Sequence, residues 1–198
     1  MLYNDSYDRR EDMPPIRKVQ KEDIIKTSLE ILKTESMDSL NARRIAKELD
    51  CSVQPIFYNF ENMEDLKNEV FKEMYNIYRE YMIRGSKEEK SYKGMGLAYI
   101  KFAKDYPNYF KTIFMNKTDL TPDLFIDNDD IGNDVIKYGM EFTGFDYDRQ
   151  KDFHLKVWIF THGLATLVAT KTVKISDEEV KKLLEETVLQ MVAGIKRG

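Results

Sequence analysis

The stretch Asn41–Phe60, NARRIAKELDCSVQPIFYNF, decides the fold. It contains two short segments with helical spacing of apolar residues, and Asn41 and Ser52 stand before them at positions that favour helix N-caps. Between the segments, Asp50 occupies a turn position that needs a positive φ, which Asp tolerates. Ala46, four residues earlier, has the small side chain that crossing helices require. The pattern therefore predicts a helix-turn-helix.

Helical spacing continues through most of the chain, so the sequence predicts an all-α fold. Only five prolines and nine glycines interrupt it. A first helix is expected over Glu22–Thr34, and another begins at Asn62 and runs toward Ile83, where the glycine in Arg84–Ser86 predicts a turn. Further helices are expected over Tyr92–Tyr106, Pro107–Met115, Ile131–Phe142 and Tyr147–Thr170, and from a capping box at Ser176–Glu179 to Lys196.

The distribution of charge favours an anionic partner for the N-terminal part. The net charge of the whole chain is −4, but residues 15–60 contain eight Lys or Arg and seven Asp or Glu, a net +1, so the remainder has −5. Binding to DNA phosphates depends on local positive charge. The sign of the bias is therefore the one that a nucleic-acid partner needs.

Composition also argues against several classes of site. The single cysteine, Cys51, excludes an intramolecular disulfide and a thiol cluster for zinc, and the two histidines lie far from it. The acidic residues between Asp127 and Asp134 lack the glycine and final glutamate of a calcium loop. No stretch approaches the roughly 18 apolar residues of a membrane span. We expect no metal, no cofactor, no membrane contact and a cytoplasmic location.

The stretch from Ile24 to Leu66 resembles the DNA-binding domain of the TetR/AcrR family of transcriptional regulators. The match is carried by Ile24–Leu32, Leu40–Leu49, Ser52–Phe60 and Asn62–Leu66. The resemblance implies backbone contacts from the second and third helices and base contacts from the start of the third. Including the predicted helix start, the DNA-binding residues are Arg43, Ser52, Val53, Gln54, Pro55, Phe57, Tyr58 and Asn59.

Several residues depart from the family pattern. Phe57 replaces the usual tyrosine and has no hydroxyl for a phosphate, although the neighbouring Tyr58 has one. Met63 stands where a lysine commonly contacts the backbone, and Lys67, one turn later, is its expected substitute. Gln54 has the amide that reads adenine through two hydrogen bonds.

The C-terminal part resembles the family more loosely, through Phe102-Ala103-x4-Pro107-x2-Phe110 and Trp158-x3-His162-Gly163. The resemblance implies a helical effector domain with an internal pocket, in which a ligand changes the spacing of two DNA-reading domains. The same apolar residues are equally consistent with an ordinary helical core. Those that suit an effector are Tyr99, Phe102, Phe110, Phe114, Met115, Trp158 and His162.

Two heptad-like stripes on the last two helices predict a homodimer through a four-helix bundle. An internal core is the alternative reading of the same stripes. A two-fold dimer suits a palindromic operator. The stripes consist of Phe153, Val157, Phe160, Leu164 and Leu167 on one helix and Val180, Leu184, Val188, Met191 and Ile195 on the other.

The predicted architecture has three parts. Residues 1–15 form a flexible arm, 16–61 a three-helix DNA-binding domain, and 62–198 a helical ligand-binding and dimerisation domain to which helix 62–83 connects. The expected function is a homodimeric repressor of the TetR type that binds palindromic double-stranded DNA and an unidentified small-molecule effector, and that is not an enzyme. The alternatives are an adaptor that binds a protein through the helix-turn-helix, and a helical enzyme using His154 and His162.

Overall fold

The computed structural model describes residues 19–88, 92–115 and 130–197, and within these ranges it is all-α. This confirms the predicted fold class. The predicted N-terminal arm and the acidic loop that begins at Asn116 lie outside the described residues. The helices are α1 (Lys21–Leu32), α2 (Ala42–Glu48), α3 (Gln54–Asn59), α4 (Met63–Glu88), α5 (Tyr92–Asp105), α6 (Pro107–Phe114), α7 (Asp130–Thr143), α8 (Tyr147–Ala169) and α9 (Asp177–Arg197), with a 3-10 turn at Met37–Ser39.

Helices α1 to α3 form a small three-helix unit that we call the head. Ile24 of α1, Ile45 of α2 and Ile56 of α3 are completely buried against one another's helices, together with Leu66 from the start of α4. Ala46 is also buried, as the crossing of α2 requires. The apolar spacing of the sequence thus gives each short helix one buried face, and packing stabilises helices that are too short to persist alone.

Local geometry confirms three predicted features at the helix ends of the head and the start of α4. The Asn41 side chain caps α2 by accepting a hydrogen bond from the backbone N–H of Arg44 at 3.0 Å. Asp50 has φ of 50°, the left-handed conformation expected for the turn. Asn62 caps α4 in the same way, accepting from the N–H groups of Glu64 and Asp65.

The start of α3 differs from the prediction. The helix begins at Gln54 with Val53 as its N-cap residue, and Ser52 provides no cap. A capping serine accepts from the N–H two or three residues into the chain beyond it. Three residues after Ser52 stands Pro55, which has no N–H to donate. Ser52 instead lies exposed in the turn before the helix.

The turn predicted at Arg84–Ser86 is absent, because α4 continues without interruption to Glu88. Gly85 is buried where α4 crosses α5, and a Cβ at this position would lie 2.4 Å from the Ala98 Cβ and 2.7 Å from the Gly94 carbonyl oxygen. The glycine therefore allows a close approach of two helices and does not end one of them. The Ser86 hydroxyl donates within the helix to the Ile83 carbonyl oxygen.

Helices α5 to α9 form the larger unit, which we call the body. Its central helix is α5, which packs along α4 and α8 and also contacts α6, α7 and α9. Phe102 and Ala103 of α5 are completely buried. The predicted capping box at the start of α9 is present, since Ser176 N–H donates to Glu179 and Glu179 N–H donates to the Ser176 hydroxyl. None of the helices in the described ranges is long and apolar enough to cross a membrane.

Candidate nucleic-acid interface and effector site

The helix-turn-helix presents an exposed face with aromatic, amide and cationic side chains. On α3, Tyr58 is 81% exposed, Phe57 is 48% exposed and Gln54 at the first helical position is also exposed. On α2, Arg43 and Lys47 stand four residues apart and are both exposed. The two adjacent aromatic side chains give this face both apolar and hydrogen-bonding groups beside the cations. This face has the composition expected of a DNA-contacting surface.

The arginines of α2 have different partners. Arg44 forms ion pairs with Glu35, at 2.9 Å, and with Glu48. The hydrogen bond from Arg44 holds the pKa of the Glu35 carboxyl below its usual value. Arg43 and Lys47 form no ion pair with any residue that the structure describes. Glu35 and Glu48 are therefore paired with Arg44, and Arg43 and Lys47 remain available for phosphates.

The remaining predicted DNA-binding residues are less exposed. Val53 and Pro55 are half-buried, and the Asn59 amide N–H group donates to the carbonyl oxygens of Pro55 at 2.7 Å and Val19 at 3.4 Å. These bonds fix the end of α3 against the chain before α1, so only the Asn59 carbonyl oxygen is left for another partner. Lys67 is half-buried one turn into α4 and pairs with no acid in the described ranges.

Six of the seven predicted effector residues meet in a cluster of aromatic rings between α5, α6 and α8. Met115 does not join it, because it lies past the end of α6 and its side chain is exposed. Sequence reasoning missed Tyr78 of α4, whose ring contacts three members of the cluster at 5.0 to 6.1 Å. Its position in the buried stripe of α4, four residues after Met74, was the available signal. The cluster consists of Tyr78, Tyr99, Phe102, Phe110, Phe114, Trp158 and His162.

The polar groups of the cluster form a directed chain of hydrogen bonds. The indole N–H of Trp158 donates to the Tyr99 hydroxyl, which lies 2.9 Å from His162 Nδ1. Since an indole can only donate, the Tyr99 hydroxyl is free to pass its own proton to His162. Burial lowers the pKa of His162 and favours its neutral form. In the tautomer with the proton on Nε2, the Tyr99 hydroxyl donates to Nδ1. The Nε2 atom of His162 has no hydrogen-bond partner in the described ranges.

A second tyrosine–histidine pair, also missed from sequence, joins α5 to α8 away from the cluster. The Tyr92 hydroxyl is hydrogen-bonded to His154 Nδ1 at 2.8 Å, and the Tyr92 ring lies against Phe153. Burial lowers the pKa of His154 to about 4 and raises that of Tyr92. Both groups are thus neutral at pH 7. The hydrogen bond between them is a structural contact of the body.

We expect this buried histidine to make the protein less stable in mild acid. The unfolded chain binds a proton at His154 near pH 6.5, whereas the folded chain does so only near pH 4. The free energy of unfolding therefore falls as the pH falls through this window, by about 3 kcal/mol in total. Urea unfolding at pH 7 and pH 4.5 should show a loss about 2 kcal/mol greater for the parent than for His154→Gln. Equal losses in the two proteins would contradict the assignment.

The predicted dimer stripes are divided between the protomer's core and its surface. Phe153, Val157 and Leu164 of α8 are buried inside the protomer, as are Val180 and Leu184 of α9. These five side chains complete the protomer's own core and leave no surface for a second copy. Phe160, Val188, Met191 and Ile195 are half-buried, and Leu167 is exposed.

Exposed apolar side chains nevertheless lie on both C-terminal helices. Ile159 and Leu189 are each 58% exposed, and Leu167 and Leu183 are also exposed. Gly163 stands between Ile159 and Leu167 on α8, and nothing in the described ranges lies within 4 Å of a Cβ built there. An open glycine flanked by exposed apolar residues leaves room for another helix to approach closely.

The described residues define an all-helical protein with an N-terminal helix-turn-helix head and a helical body, and in these ranges no three His, Cys, Asp or Glu side chains group to hold a metal ion. No family model matches the chain, and no curated protein matches it in sequence. Among solved structures, it resembles the dihydroxyacetone kinase operon activator DhaS, with a TM-score of 0.55 over 89% of this chain and 96% of that one. The two sequences are 12% identical, so the likeness shows a shared fold.

Proposed function

We propose that this protein is a sequence-specific DNA-binding transcriptional regulator. The observation that carries the proposal is the exposed face of α2 and α3, where Arg43, Gln54 and Tyr58 project from a rigidly packed helix-turn-helix. The structural neighbour DhaS is described as an operon activator, which supports a regulatory role. The cations would contact phosphates, and Gln54 would read a base edge in the major groove.

We propose that the protein is a repressor of the TetR type, because the sequence of its head resembles the DNA-binding domain of that family. The name of the structural neighbour indicates activation instead. A reporter gene placed behind the bound promoter distinguishes the two: its expression falls in the presence of a repressor and rises in the presence of an activator. We propose a cytoplasmic location with this role.

We propose that the aromatic cluster of the body binds the effector. Its rings offer a largely apolar environment, and His162 Nε2 offers one polar atom, which is a donor in the tautomer in which Tyr99 donates to Nδ1. Trp158 is the only tryptophan of the chain and stacks on His162 with ring centroids 5.0 Å apart. Its fluorescence therefore reports directly on occupation of this site. The change in fluorescence for a given compound should disappear in His162→Phe if the two residues share one ligand.

The proposed homodimer uses the exposed side chains of α8 and α9 in place of the full heptad stripes. Ile159, Leu167, Leu183 and Leu189 would be removed from water by a second copy of the same helices. Burying apolar surface contributes roughly 25 cal/mol for each Å² removed from water. A two-fold arrangement of these helices would place two heads on one face for a palindromic operator.

Charge substitution on this surface should produce a monomer that binds DNA poorly. Ile159→Glu would place two carboxylates near the two-fold axis, where they repel and lose hydration. Light scattering should give the mass of one chain, and operator affinity should fall by about tenfold or more, because one head then binds without the other. Ile83→Glu is the matched control, since Ile83 is 44% exposed on α4. A monomeric Ile159→Glu that binds as tightly as the parent would refute the dimer.

We propose a regulator and not an enzyme, and the positions of the histidines support this choice. His154 and His162 each have Nδ1 bonded to a tyrosine hydroxyl, and they lie in different parts of the α5–α8 interface. Neither is paired with a nucleophile or an acid in the described ranges. The second candidate function is an adaptor that binds a protein through the same head. A regulator retards DNA in a gel, whereas an adaptor does not.

The experiment that tests the function is selection from a pool of random-sequence DNA duplexes by the purified full-length protein. We expect enrichment of a palindromic sequence, with an affinity that falls steeply as salt rises because bound counterions are released. A protein that retains no preferred sequence over random DNA at moderate salt is not the regulator proposed here.

A further inference from the structure

The C-terminal end of α1 receives its hydrogen-bonding partners from α6, far along the chain. The Tyr109 hydroxyl donates to the Leu29 carbonyl oxygen at 2.6 Å, and the Asn108 amide donates to the Lys33 carbonyl oxygen at 3.2 Å. Carbonyl groups at the end of a helix lack a full set of partners within it. The Leu29 oxygen also accepts the Lys33 N–H at 3.1 Å, whereas the Lys33 oxygen accepts only from Asn108 in the described ranges. The first turn of α6 therefore caps the end of α1 in the head.

Local capping at this end of α1 is incomplete, because the N–H groups of Lys33, Thr34 and Glu35 donate to carbonyl oxygens of residues 29 to 31 and none in the described ranges donates to the Lys33 carbonyl oxygen. The last turn of α1 contains no basic side chain, and its C-cap residue Lys33 has right-handed helical angles in place of a glycine in the left-handed region. Tyr109 is almost completely buried at this contact, and the ring of Tyr106 stacks on it with centroids 5.0 Å apart. The contact is thus a fixed joint between two helices with few alternative positions.

The other face of α6 belongs to the aromatic cluster of the body. Phe110, the residue after Tyr109, is completely buried and its ring lies 5.5 Å from His162 and 5.6 Å from Tyr99. On the head side, α1 packs through buried Ile24 and Ile31 onto the helices that present the DNA-contacting face. An eight-residue helix thus contacts the cluster on one face and the end of α1 on the other.

We propose that Tyr109 and Asn108 are positioning residues for DNA recognition: by holding the end of α1, they set the orientation of the head on the body and hence the half-site spacing that a dimer reads. The inference rests on the proposed function. It assigns no DNA contact to either residue, because both act through α1. Loss of the joint should broaden the range of spacings that are bound and leave the base preference within each half-site unchanged.

The test compares Tyr109→Phe and Asn108→Ala with the parent on duplexes that the parent selects. The spacer between half-sites is shortened or lengthened by one and two base pairs. Tyr106→Phe is the matched control, since its hydroxyl forms no hydrogen bond in the described ranges. We expect the parent's preference for its own spacer to fall about fivefold in Tyr109→Phe, the equivalent of one lost hydrogen bond. The preference should be unchanged in Tyr106→Phe.

The readouts separate positioning from general stability. A purely structural role would lower the melting temperature and the fraction of active protein, but it would leave the ratio of affinities for different spacers unchanged. If the ratio of affinities for different spacers is unchanged in both Tyr109→Phe and Asn108→Ala, the inference is wrong but the proposed function is unaffected. A parent protein that selects no DNA sequence overturns the proposed function, and the inference falls with it.

Discussion

Gly85→Val should lower the free energy of unfolding by about 3 kcal/mol, the largest stability effect that we expect from one substitution. A Cβ at residue 85 would lie 2.4 Å from the Ala98 Cβ and 2.7 Å from a backbone oxygen of α5. Neither atom belongs to a flexible side chain that can turn away, so the helices must separate. Overpacking of a core typically costs 1 to 3 kcal/mol, and valine adds two further methyl groups. Urea unfolding monitored by circular dichroism measures the loss.

Two neighbouring substitutions make the result specific. Ser86→Ala alters the next residue of α4 without adding an atom, and it should leave stability within about 0.5 kcal/mol of the parent. Gly85→Ala should fall between them, because the better helix propensity of alanine, about 1 kcal/mol, offsets part of the clash. A Gly85→Val protein as stable as the parent would show that α4 and α5 do not approach as closely as described.

Gly85 also illustrates which features of this fold could be predicted from sequence. The N-caps at Asn41 and Asn62 were predicted because each depends on a hydrogen bond to a backbone group two or three residues away. A glycine in a helical pattern is consistent with a turn or with a close helix crossing. Only the position of Ala98 on α5 distinguishes the two, and sequence spacing within α4 contains no information about it.

The same limit explains the outcome at the candidate sites. A heptad stripe looks identical whether it faces α5 of the same chain or α8 of another, so Val157 and Leu164 could be assigned to an interface although they are buried in the protomer. The exposed face of the head was predictable because short motifs fix both the turn and the helix register. The tyrosine partners of the histidines depend on the packing of α5 against α8, which no local pattern predicts.

Helix α6 contacts both the aromatic cluster and the head. The aromatic cluster and the head share no residue, yet Phe110 and Tyr109 are consecutive on one short helix. A displacement of the Phe110 ring that shifted the α6 backbone would lengthen the hydrogen bond from Tyr109 to the Leu29 carbonyl oxygen. A compound affects DNA binding by this route only if it binds the two positions of α6 with different affinities.

The largest expected effect on function follows from Arg43→Ala. Each protomer would lose one charged contact to a phosphate, worth about 1.5 to 3 kcal/mol, and a dimer would lose two. Affinity for every duplex should therefore fall on the order of 100-fold or more, and the slope of log affinity against log salt should decrease by about 2. Lys137→Ala is the matched control, because Lys137 is an exposed lysine of α7 with no ion pair in the described ranges.

Gln54→Ala, on the same face, should reduce sequence preference and leave general DNA affinity unchanged. Its amide would contact a base and no phosphate, so binding to random duplexes and the salt slope should remain those of the parent. Preference for the selected sequence should fall about tenfold or more, since a bidentate base contact discriminates by about 1 to 3 kcal/mol. Retardation titrations with selected and random duplexes at several salt concentrations measure both quantities. Equal losses on all sequences from Arg43→Ala and Gln54→Ala would exclude Gln54 as a base-reading residue and leave the head without its proposed source of specificity.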